Sequence, residues 1–346
     1  MFILDCAILK LQEVDIMVTI KDIATNSGYS PATVSRLLKG DKSLSITEET
    51  KHKIIQTALG LGYDRSKIKT TLEKILFIFW IDETEEFEDI YFHNLKTSLV
   101  KYAELNSMDM STLTKEDSFD SIPDDIGGVV AVGRFTKLQV QELHRRCPNG
   151  VILEINPEPD LFDTVKPDTD RMTQKAIDFF LQKKYEKIGF IGGGFLDPET
   201  NTFKQDTREY TFRMQLEKFG ILDESLIFAQ GPFTVQQGYV LAKQLLQHPG
   251  SLPKAILIAS DTLAVGVLQA FNEENIQVPQ QIELISINDN DIAKYISPPL
   301  STFRIDADEI AKTAIDSLVD QILYPRKTTK TVLLNSEFIE RRSFQL

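Results

Sequence analysis

The chain has 346 residues, of which 42% are hydrophobic, and a formal net charge of -13. This length allows two or three domains, and the acidic balance excludes a protein that coats nucleic acid. The basic residues are concentrated, however, because residues 17–72 contain nine Lys or Arg against five Asp or Glu. The sequence therefore predicts a small DNA contact on an otherwise acidic protein.

The first sixteen residues are apolar but make a poor signal peptide. Asp5 interrupts them, and they have neither a basic start nor a small-residue cleavage site. We interpret residues 1–16 as a dispensable extension before a natural start at Met17. No apolar run reaches the ~20 residues of a membrane span. Two cysteines and four scattered histidines provide neither a disulfide framework nor a metal site, which favours the cytoplasm.

The first predicted unit is a pair of short helices joined by a glycine turn. Thr19 and Asp22 have capping-box spacing, and Gly28 is free to adopt the left-handed conformation of a tight turn. Ser30 followed by Pro31 is typical of the start of a second helix. The pattern predicts a helix-turn-helix, whose second helix enters the major groove. Any pair of short amphipathic helices remains the alternative at this point.

A third helix follows and completes a head that we place at residues 17–63. Thr47 and the two glutamates after it give this helix a capped, acidic start. The expected core of the head consists of the apolar positions that fall on the inner faces of the three helices: Ile23, Val34, Leu37, Leu38, Ile54 and Ala58.

The hydrophobic pattern changes after a polar, lysine-rich connector at residues 64–74. Continuous apolar runs, typical of buried parallel strands, then alternate with helical stretches. The runs lie at residues 75–81, 127–132, 151–155, 188–191, 255–259 and 282–287. This alternation predicts doubly wound parallel sheets with right-handed crossovers.

A body of this size is more than one sheet comfortably supports, so we expect residues 75–346 to form two similar lobes. We place the first lobe at about 75–165 and 301–325, and the second at about 166–300 and 326–346. Ligands of such folds bind outside the carboxyl ends of the strands, so the cleft between the lobes is the expected pocket.

The motifs TIKDIA, SPATVSR, TEETKHKI and LGY, followed by a two-lobed body, resemble the lactose/galactose-repressor (LacI/GalR) family of bacterial transcription regulators. The resemblance covers the chain from Met17 to its end. Segments such as ASDTLAVGVLQAF and PPLSTFRID are similar to the galactose-operon and evolved-β-galactosidase repressor branch. The resemblance implies an all-α helix-turn-helix head, a periplasmic-binding-protein-like α/β body, no cofactor, no metal and no enzymatic activity.

The resemblance also implies which residues contact DNA. Arg36 and Ala32 lie where the family reads base edges: a guanidinium can bridge guanine O6 and N7, and an alanine can pack on a thymine methyl. A solvated arginine and a plain helix former are the alternatives. The residues implied in the head, several of them as phosphate contacts, are Thr19, Pro31, Ala32, Thr33, Ser35 and Arg36.

Two segments depart from the family pattern. A two-residue insertion near Asp41–Leu44 changes the loop before the third helix, so we expect that loop to contact phosphate differently. In the connector, Tyr63-Asp64-Arg65-Ser66 replaces the usual Tyr-x-Pro-Asn. Lys67 and Lys69 suit phosphates there, and Leu72 either wedges between base pairs in the minor groove or packs under the body.

The effector residues implied by the resemblance lie at the ends of predicted strands and helices: Tyr91, Phe92, Glu154, Arg208, Phe233, Ser260, Asp261, Asn288 and Asp289. Arg208 matches the family arginine that hydrogen-bonds a sugar, and Phe233 matches an aromatic residue that stacks on it. Two alternatives stay open. Asp261 could only cap its helix, and Tyr91 and Phe92 could belong to the core.

The implied function is repression of a sugar-utilisation operon by a homodimer that binds a palindromic operator and is released by galactose or a β-galactoside. A dimer is expected because the sequence ends without a leucine heptad. The alternatives are a purine or phosphocarrier co-repressor, a sugar-binding transport protein, and an enzyme. The glycines at 192–194 lack the pattern of a nucleotide-binding loop, which disfavours an enzyme.

Overall fold

The structure is a computed structural model, and it describes residues 18–41, 43–64, 67–68, 70, 74–81, 90–106, 108–123, 126–250 and 252–346. The extension predicted at residues 1–16 lies outside these ranges. The chain divides into an N-terminal unit that ends at residue 72 and a larger body that holds nearly all of the remaining residues. Within the described ranges, no helix has the length and apolar character needed to cross a membrane.

The N-terminal unit contains three helices: α1 (Ile20–Ser27), α2 (Pro31–Leu38) and α3 (Glu48–Gly60). Its turns form as the sequence predicts. Thr19 and Asp22 make the reciprocal hydrogen bonds of a capping box, and Gly28 ends α1 with a φ of 80°. The Ser30 hydroxyl accepts a hydrogen bond from the Thr33 amide, 3.1 Å away, at the start of α2. The helix-turn-helix prediction is confirmed.

The core of this unit is small and closely matches the expected one. Its buried apolar side chains are Ile23, Ala24, Val34, Leu37, Leu38, Ile54, Ile55 and Ala58. They come from all three helices, so the turn between α1 and α2 is fixed by packing on α3 as well as by its own hydrogen bonds. Such packing supplies most of the stability of helices this short.

The body contains fourteen strands and eight further α-helices in the described part of the chain. In order, these are β1 (Lys74–Trp80), α4 (Ile90–Leu105), β2 (Asp109–Thr114), β3 (Gly128–Gly133), α5 (Lys137–Arg146), β4 (Gly150–Leu153), β5 (Asp163–Pro167), α6 (Thr169–Gln182), β6 (Ile188–Gly192), β7 (Gly194–Leu196), β8 (Phe203–Gln205), α7 (Thr207–Lys218), β9 (Ile227–Ala229), α8 (Val235–Gln247), β10 (Ala255–Ile258), α9 (Asp261–Glu273), β11 (Glu283–Asn288), α10 (Ile292–Tyr295), β12 (Ser301–Arg304), α11 (Ala307–Leu323), β13 (Thr331–Leu334) and β14 (Glu337–Ile339).

These strands form two six-stranded sheets, which confirms the two-lobed prediction. The first has the order β13-β5-β4-β3-β1-β2 and is parallel throughout. The second has the order β14-β12-β11-β10-β6-β9, and β14 alone runs antiparallel to its neighbour. Strands β7 and β8 form a separate hairpin.

The segments that cross between the lobes lie later in the chain than expected. Strand β12 pairs with β11, so residues 301–304 belong to the second lobe rather than the first. Strand β13 pairs with β5, so residues 331–334 belong to the first lobe rather than the second. Strand β13 is a four-residue edge strand that alternates between exposed and half-buried positions. Its apolar run, residues 332–334, is also shorter than the runs from which the boundaries were predicted.

Phenylalanines fill much of the second lobe's core. Phe180, Phe303 and Phe344 are completely buried, and Phe179 stacks on Phe303 with the ring centroids 6.3 Å apart. Burying each such ring stabilises the fold by about 1.5–3 kcal/mol. Since Phe344 lies near the end of the chain, the C-terminal segment is an integral part of this lobe.

Candidate functional site

The outward face of α2 carries the residues predicted to contact DNA. Pro31, Ala32 and Arg36 are exposed, whereas Thr33 and Ser35 are half-buried. The apolar side chains of the helix lie on its opposite face, as its sequence pattern predicts. Helix α2 therefore presents a narrow strip of small side chains with one long cation.

The side chain of Arg36 is held by the loop that follows α2. Its Nε donates to Asp41 Oδ2 at 2.7 Å, and its Nη2 donates to Ser43 Oγ at 2.9 Å. Hydrogen bonds from Ser43, followed by that from Arg36, lower the pKa of Asp41 to about 2. The guanidinium is thus oriented although 47% of the Arg36 side chain is exposed.

The predicted connector is only partly described. Lys69 and Leu72 lie outside the described residues. Lys67 is exposed and lies 3.6 Å from a carboxylate oxygen of Asp64. Ile68 is 1% exposed, and the Thr70 hydroxyl donates to the Leu37 carbonyl at the end of α2. This part of the connector therefore belongs to the folded head.

The body has a cavity of about 190 Å³ between its two lobes. Residues from both lobes line it: Tyr91, Phe92, Arg134, Glu154, Ile155, Lys166, Pro167, Thr169, Phe195, Asp206, Thr207, Arg208, Phe233, Ser260, Asn288 and Ile305. Several of these residues end or closely follow strands β3, β4, β5, β10 and β11. The cavity thus lies at the carboxyl ends of the strands, where ligands bind in this class of sheet.

Arg208 is the most strongly anchored side chain in the cavity wall. Its Nε and Nη2 donate to the two oxygens of Asp206 at 2.7 and 2.9 Å, and its Nη1 donates to the Ala259 carbonyl at 2.6 Å. The guanidinium carbon lies 4.7 Å from the centre of the Phe233 ring. Burial acts to raise the pKa of Asp206, but the charge and hydrogen bonds of Arg208 outweigh it and hold that pKa low.

Tyr91 and Glu154 form a second polar group in the wall. The Tyr91 hydroxyl donates to a carboxylate oxygen of Glu154, which has a positive φ of 64° at the end of β4. Burial raises the pKa of Glu154 more than Tyr91 and Arg208 lower it. Burial therefore makes the charged form of the Glu154 carboxyl less favourable here than in water.

Asn288 and Ser260 complete the wall from the second lobe. Asn288 is 8% exposed and has a φ of 122°, a conformation that side chains rarely adopt. Such strain is characteristic of ligand-binding sites. The Ser260 hydroxyl accepts a hydrogen bond from the Leu263 amide at 3.2 Å and so caps α9.

Two of the carboxylates predicted to bind the effector do not line the cavity. Asp261 is completely buried: it accepts from the Thr302 hydroxyl at 2.9 Å, from the Asn290 amide at 2.7 Å and from the Ser286 hydroxyl. The alternative that Asp261 caps α9 is also wrong, since Ser260 does so.

Asp289 is likewise engaged inside the second lobe. Its carboxylate, 2% exposed, accepts from Arg304 Nε at 2.9 Å and from Arg341 Nη2 at 2.5 Å. Asp261 is thus bonded to the backbone at Asn290, and Asp289 to two arginines of the same lobe.

Several lining residues were not predicted from the sequence. Asp206, Arg134 and Lys166 are charged, and Phe195 provides a further aromatic face. The carbon of the Arg134 guanidinium lies 5.4 Å from the centre of the Phe195 ring, across the two lobes. Of these residues, only Asp206 could have been noticed in the sequence. It directly precedes α7, and an aspartate before a helix is a frequent N-cap.

The hairpin β7–β8 lies between β6 and α7 in the chain. Between its strands, Glu199 accepts a hydrogen bond from the Lys137 amide, 3.1 Å away, at the start of α5. This bond joins the two lobes, as does the contact between Arg134 and Phe195. The hairpin therefore closes one side of the cavity.

The chemistry of the cavity suits a small polyhydroxylated ring. Fixed donors and acceptors face aromatic rings, and a pyranose has hydroxyl edges and apolar C–H faces. In the part of the chain that the structure describes, no group of three His, Cys, Asp or Glu side chains is arranged to hold a metal ion.

Known proteins share both parts of this arrangement. Residues 19–66 match the bacterial regulatory proteins of the lacI family, and residues 164–344 match the periplasmic binding protein-like domain. The chain is 40% identical to the HTH-type transcriptional regulator GanR of Bacillus subtilis (strain 168), over 94% of this chain and 99% of GanR. It is also 40% identical to the HTH-type transcriptional regulator LacR of Lactobacillus helveticus, over 95% and 98% of the two chains.

A solved structure extends the likeness to the whole fold. The transcriptional regulator CelR in complex with cellobiose matches with a TM-score of 0.67, covering 94% of this chain and 100% of that one at 17% identity. At this identity the likeness establishes the fold, with its helical head and two-lobed body.

Proposed function

Because the chain belongs to the LacI family of bacterial regulatory proteins, we propose that galactose or a β-galactoside releases it from the operator of a sugar-utilisation operon. The chain is a DNA-binding transcriptional repressor that responds to a sugar, and it is not an enzyme. The identity of the sugar, the dimer and the roles of individual residues are the proposed parts.

In this proposal, α2 enters the major groove of the operator. Arg36 reads a guanine, Ala32 packs on a thymine methyl, and Thr19, Thr33 and Ser35 contact phosphates. Pro31 starts the helix at the groove, and Lys67 adds a phosphate contact beside it. Two heads in a homodimer occupy the two half-sites of a palindrome, and the protein acts in the cytoplasm, where its DNA target is found.

One observation carries the sugar part of the proposal: the fork of Arg208 on Asp206, beside the ring of Phe233, in the wall of an interlobe cavity. The fork fixes the direction in which the guanidinium donates, and the aromatic ring offers a plate to a sugar face. The CelR complex supports this proposal, because a protein of the same fold holds the disaccharide cellobiose.

Control of the DNA follows from differential binding. A sugar that contacts both lobes favours one lobe arrangement, and it shifts the protein only as far as its affinities for the two arrangements differ. We propose that the arrangement favoured by the sugar places the two heads out of register with the half-sites.

A gel shift of the full chain on its operator, titrated separately with galactose and lactose, tests the proposal. Release by either sugar is expected. If neither sugar acts and another metabolite releases the DNA, the galactoside is wrong and the repressor remains. A purine or phosphocarrier co-repressor would reverse the coupling and tighten the complex instead.

A further inference from the structure

We propose that Asp41 is a specificity-determining residue of the DNA-reading face, because it fixes the Arg36 guanidinium in the orientation that selects guanine. The inference rests on the proposed role of Arg36 as a reader of a base edge. It adds that the loop after α2 determines how well Arg36 discriminates.

The carboxylate of Asp41 is fixed by its own loop. Its Oδ1 accepts from the Ser43 amide at 2.9 Å and from the Ser43 hydroxyl at 2.6 Å, which together close a tight turn. The backbone is tied at both sides: the Asp41 amide donates to the Arg36 carbonyl, and the Leu44 amide donates to the Asp41 carbonyl, both at 3.1 Å. Oδ2 is thereby directed towards the side chain of Arg36.

The bonds of Arg36 occupy one edge of its guanidinium. Nε donates to Asp41 and Nη2 donates to Ser43. These two nitrogens form the side-on edge of the guanidinium, so the protein occupies that edge. The other edge is formed by Nη1 and the second N–H of Nη2. Within the described residues it makes no hydrogen bond to the protein, so it is available to DNA. A guanine presents two acceptors, O6 and N7, that match such a fork of two N–H groups.

The exposure and charge of the Arg36–Asp41 pair indicate that it orients the guanidinium and adds little to the stability of the fold. The two side chains are 47% and 34% exposed, so water and salt screen their attraction. The carboxylate also repels nearby phosphates, which weakens sequence-independent binding. Asp41 is therefore expected to act on specificity through the orientation of Arg36, not through added affinity for the duplex.

The test uses the full chain with Asp41→Ala and Asp41→Asn, each also combined with Arg36→Met. The control is Glu49→Ala, which removes the same charge from an exposed position on α3. An operator is first selected from random duplexes with the unaltered protein. The Kd is then measured for this operator, for every single-base-pair variant of it, and for a random duplex.

Asp41→Ala is expected to lower discrimination at the base pair read by Arg36 by roughly tenfold, while affinity for the random duplex stays equal or rises. Adding Asp41→Ala to Arg36→Met is expected to change discrimination no further, and Glu49→Ala is expected to leave it intact. Asp41→Asn keeps an acceptor for the Ser43 turn but loses the charged partner of Arg36. If the alanine variant misfolds, discrimination by Asp41→Asn therefore tests the inference in its place.

Two results would overturn the inference. Tighter operator binding with unchanged discrimination in both Asp41 variants would make Asp41 a competitor of DNA for Arg36. An equal loss of discrimination with and without Arg36 would make Asp41 act independently of it. If the unaltered protein selects no sequence at all from the random pool, the proposed function fails instead.

Discussion

The head and the body each contain an arginine held by an aspartate, and the two pairs differ mainly in their surroundings. In the head, Arg36 and Asp41 are 47% and 34% exposed. In the body, Arg208 and Asp206 are each 15% exposed, and Phe233 covers the guanidinium. The side-on edge of the guanidinium bonds the carboxylate in both pairs.

The difference shows how one pair of residue types serves two kinds of recognition. An exposed pair is screened and leaves the other edge of the guanidinium for a base, so it directs a side chain without contributing much to folding. A buried pair is difficult to separate, because either partner alone would be an uncompensated charge in a place that water hardly reaches. Removing one member should therefore affect the body far more than the head.

The largest effect is expected for Arg208→Met. This substitution leaves the carboxylate of Asp206 buried without its main partner, so the free energy of unfolding should fall by about 3–5 kcal/mol. Chemical denaturation of the full chain, followed by circular dichroism, measures this loss. The double variant Asp206→Asn/Arg208→Met, which removes the charge left behind, should recover much of it. A loss below about 1 kcal/mol in the single variant would place this pair in the same class as the exposed pair of the head.

A second large effect is expected from Asp261, and it depends on pH. Burial raises the pKa of its carboxyl from the ordinary 3.8 to about 7, so the folded protein keeps a proton that the unfolded chain has lost. The stability that Asp261 contributes is therefore fully present below pH 3.8 and is lost as the pH rises towards 7. The difference in unfolding free energy between the unaltered protein and Asp261→Asn should shrink by about 2 kcal/mol from pH 5 to pH 7.

Asp163 offers a matched control for that pH dependence. Asp163 is also a buried acidic side chain, but the hydrogen bonds from Arg326 and Ser317 and that from the Lys330 amide outweigh the effect of burial and lower its pKa. The stability it contributes is thus present above the unfolded pKa and lost only in acid. For Asp163→Asn the corresponding difference should stay flat between pH 5 and pH 7. Equal pH profiles for the two variants would contradict the assignment of Asp261.

A smaller effect is expected for Phe233→Leu. Leucine keeps an apolar contact but removes the aromatic plate beside Arg208, so sugar affinity should fall by about 1 kcal/mol, which is roughly fivefold. Isothermal titration with the sugar that releases the operator measures this change. Operator affinity in the absence of sugar should not change, and a change there would indicate that Phe233 acts on the lobes rather than on the ligand.

The smallest effect on stability is expected for Asp41→Asn. The pair in the head is exposed and screened, so the thermal midpoint of the head should not change measurably. Differential scanning calorimetry of the full chain with and without the substitution tests this expectation. A clear drop in the midpoint would show that the Asp41 turn holds the head together.

The sequence predicts the head in more detail than the body. A capping box at Thr19, a positive φ at Gly28 and a hydroxyl cap at Ser30 are local features, each set by one residue and its near neighbours. Strands β1 and β3 were found as well, because their central residues are apolar and buried on both faces of the sheet. The edge strand β13 alternates between exposed and half-buried positions and has only three consecutive apolar residues, so its sequence gives a weaker signal.

The cavity could be predicted only in part, because its wall is assembled from residues far apart in the chain. Arg208 and Phe233 could be placed by family resemblance, and the structure brings both to one cavity. Asp261 was misplaced, because a residue at the end of a strand can point into the lobe as readily as into the cleft. Phe195 contacts Arg134 across the two lobes, and no local sequence pattern indicates that contact.

The central claim is that a sugar in the body controls the DNA contact of the head, and one measurement tests it most directly. Fluorescence anisotropy of a labelled operator is followed while galactose and lactose are added to the unaltered chain and to Asp206→Asn/Arg208→Met. Release of the operator from the unaltered chain, together with tight, sugar-insensitive binding by the double variant, is the predicted result. Equal release from both proteins, or from neither with any sugar, would contradict the account.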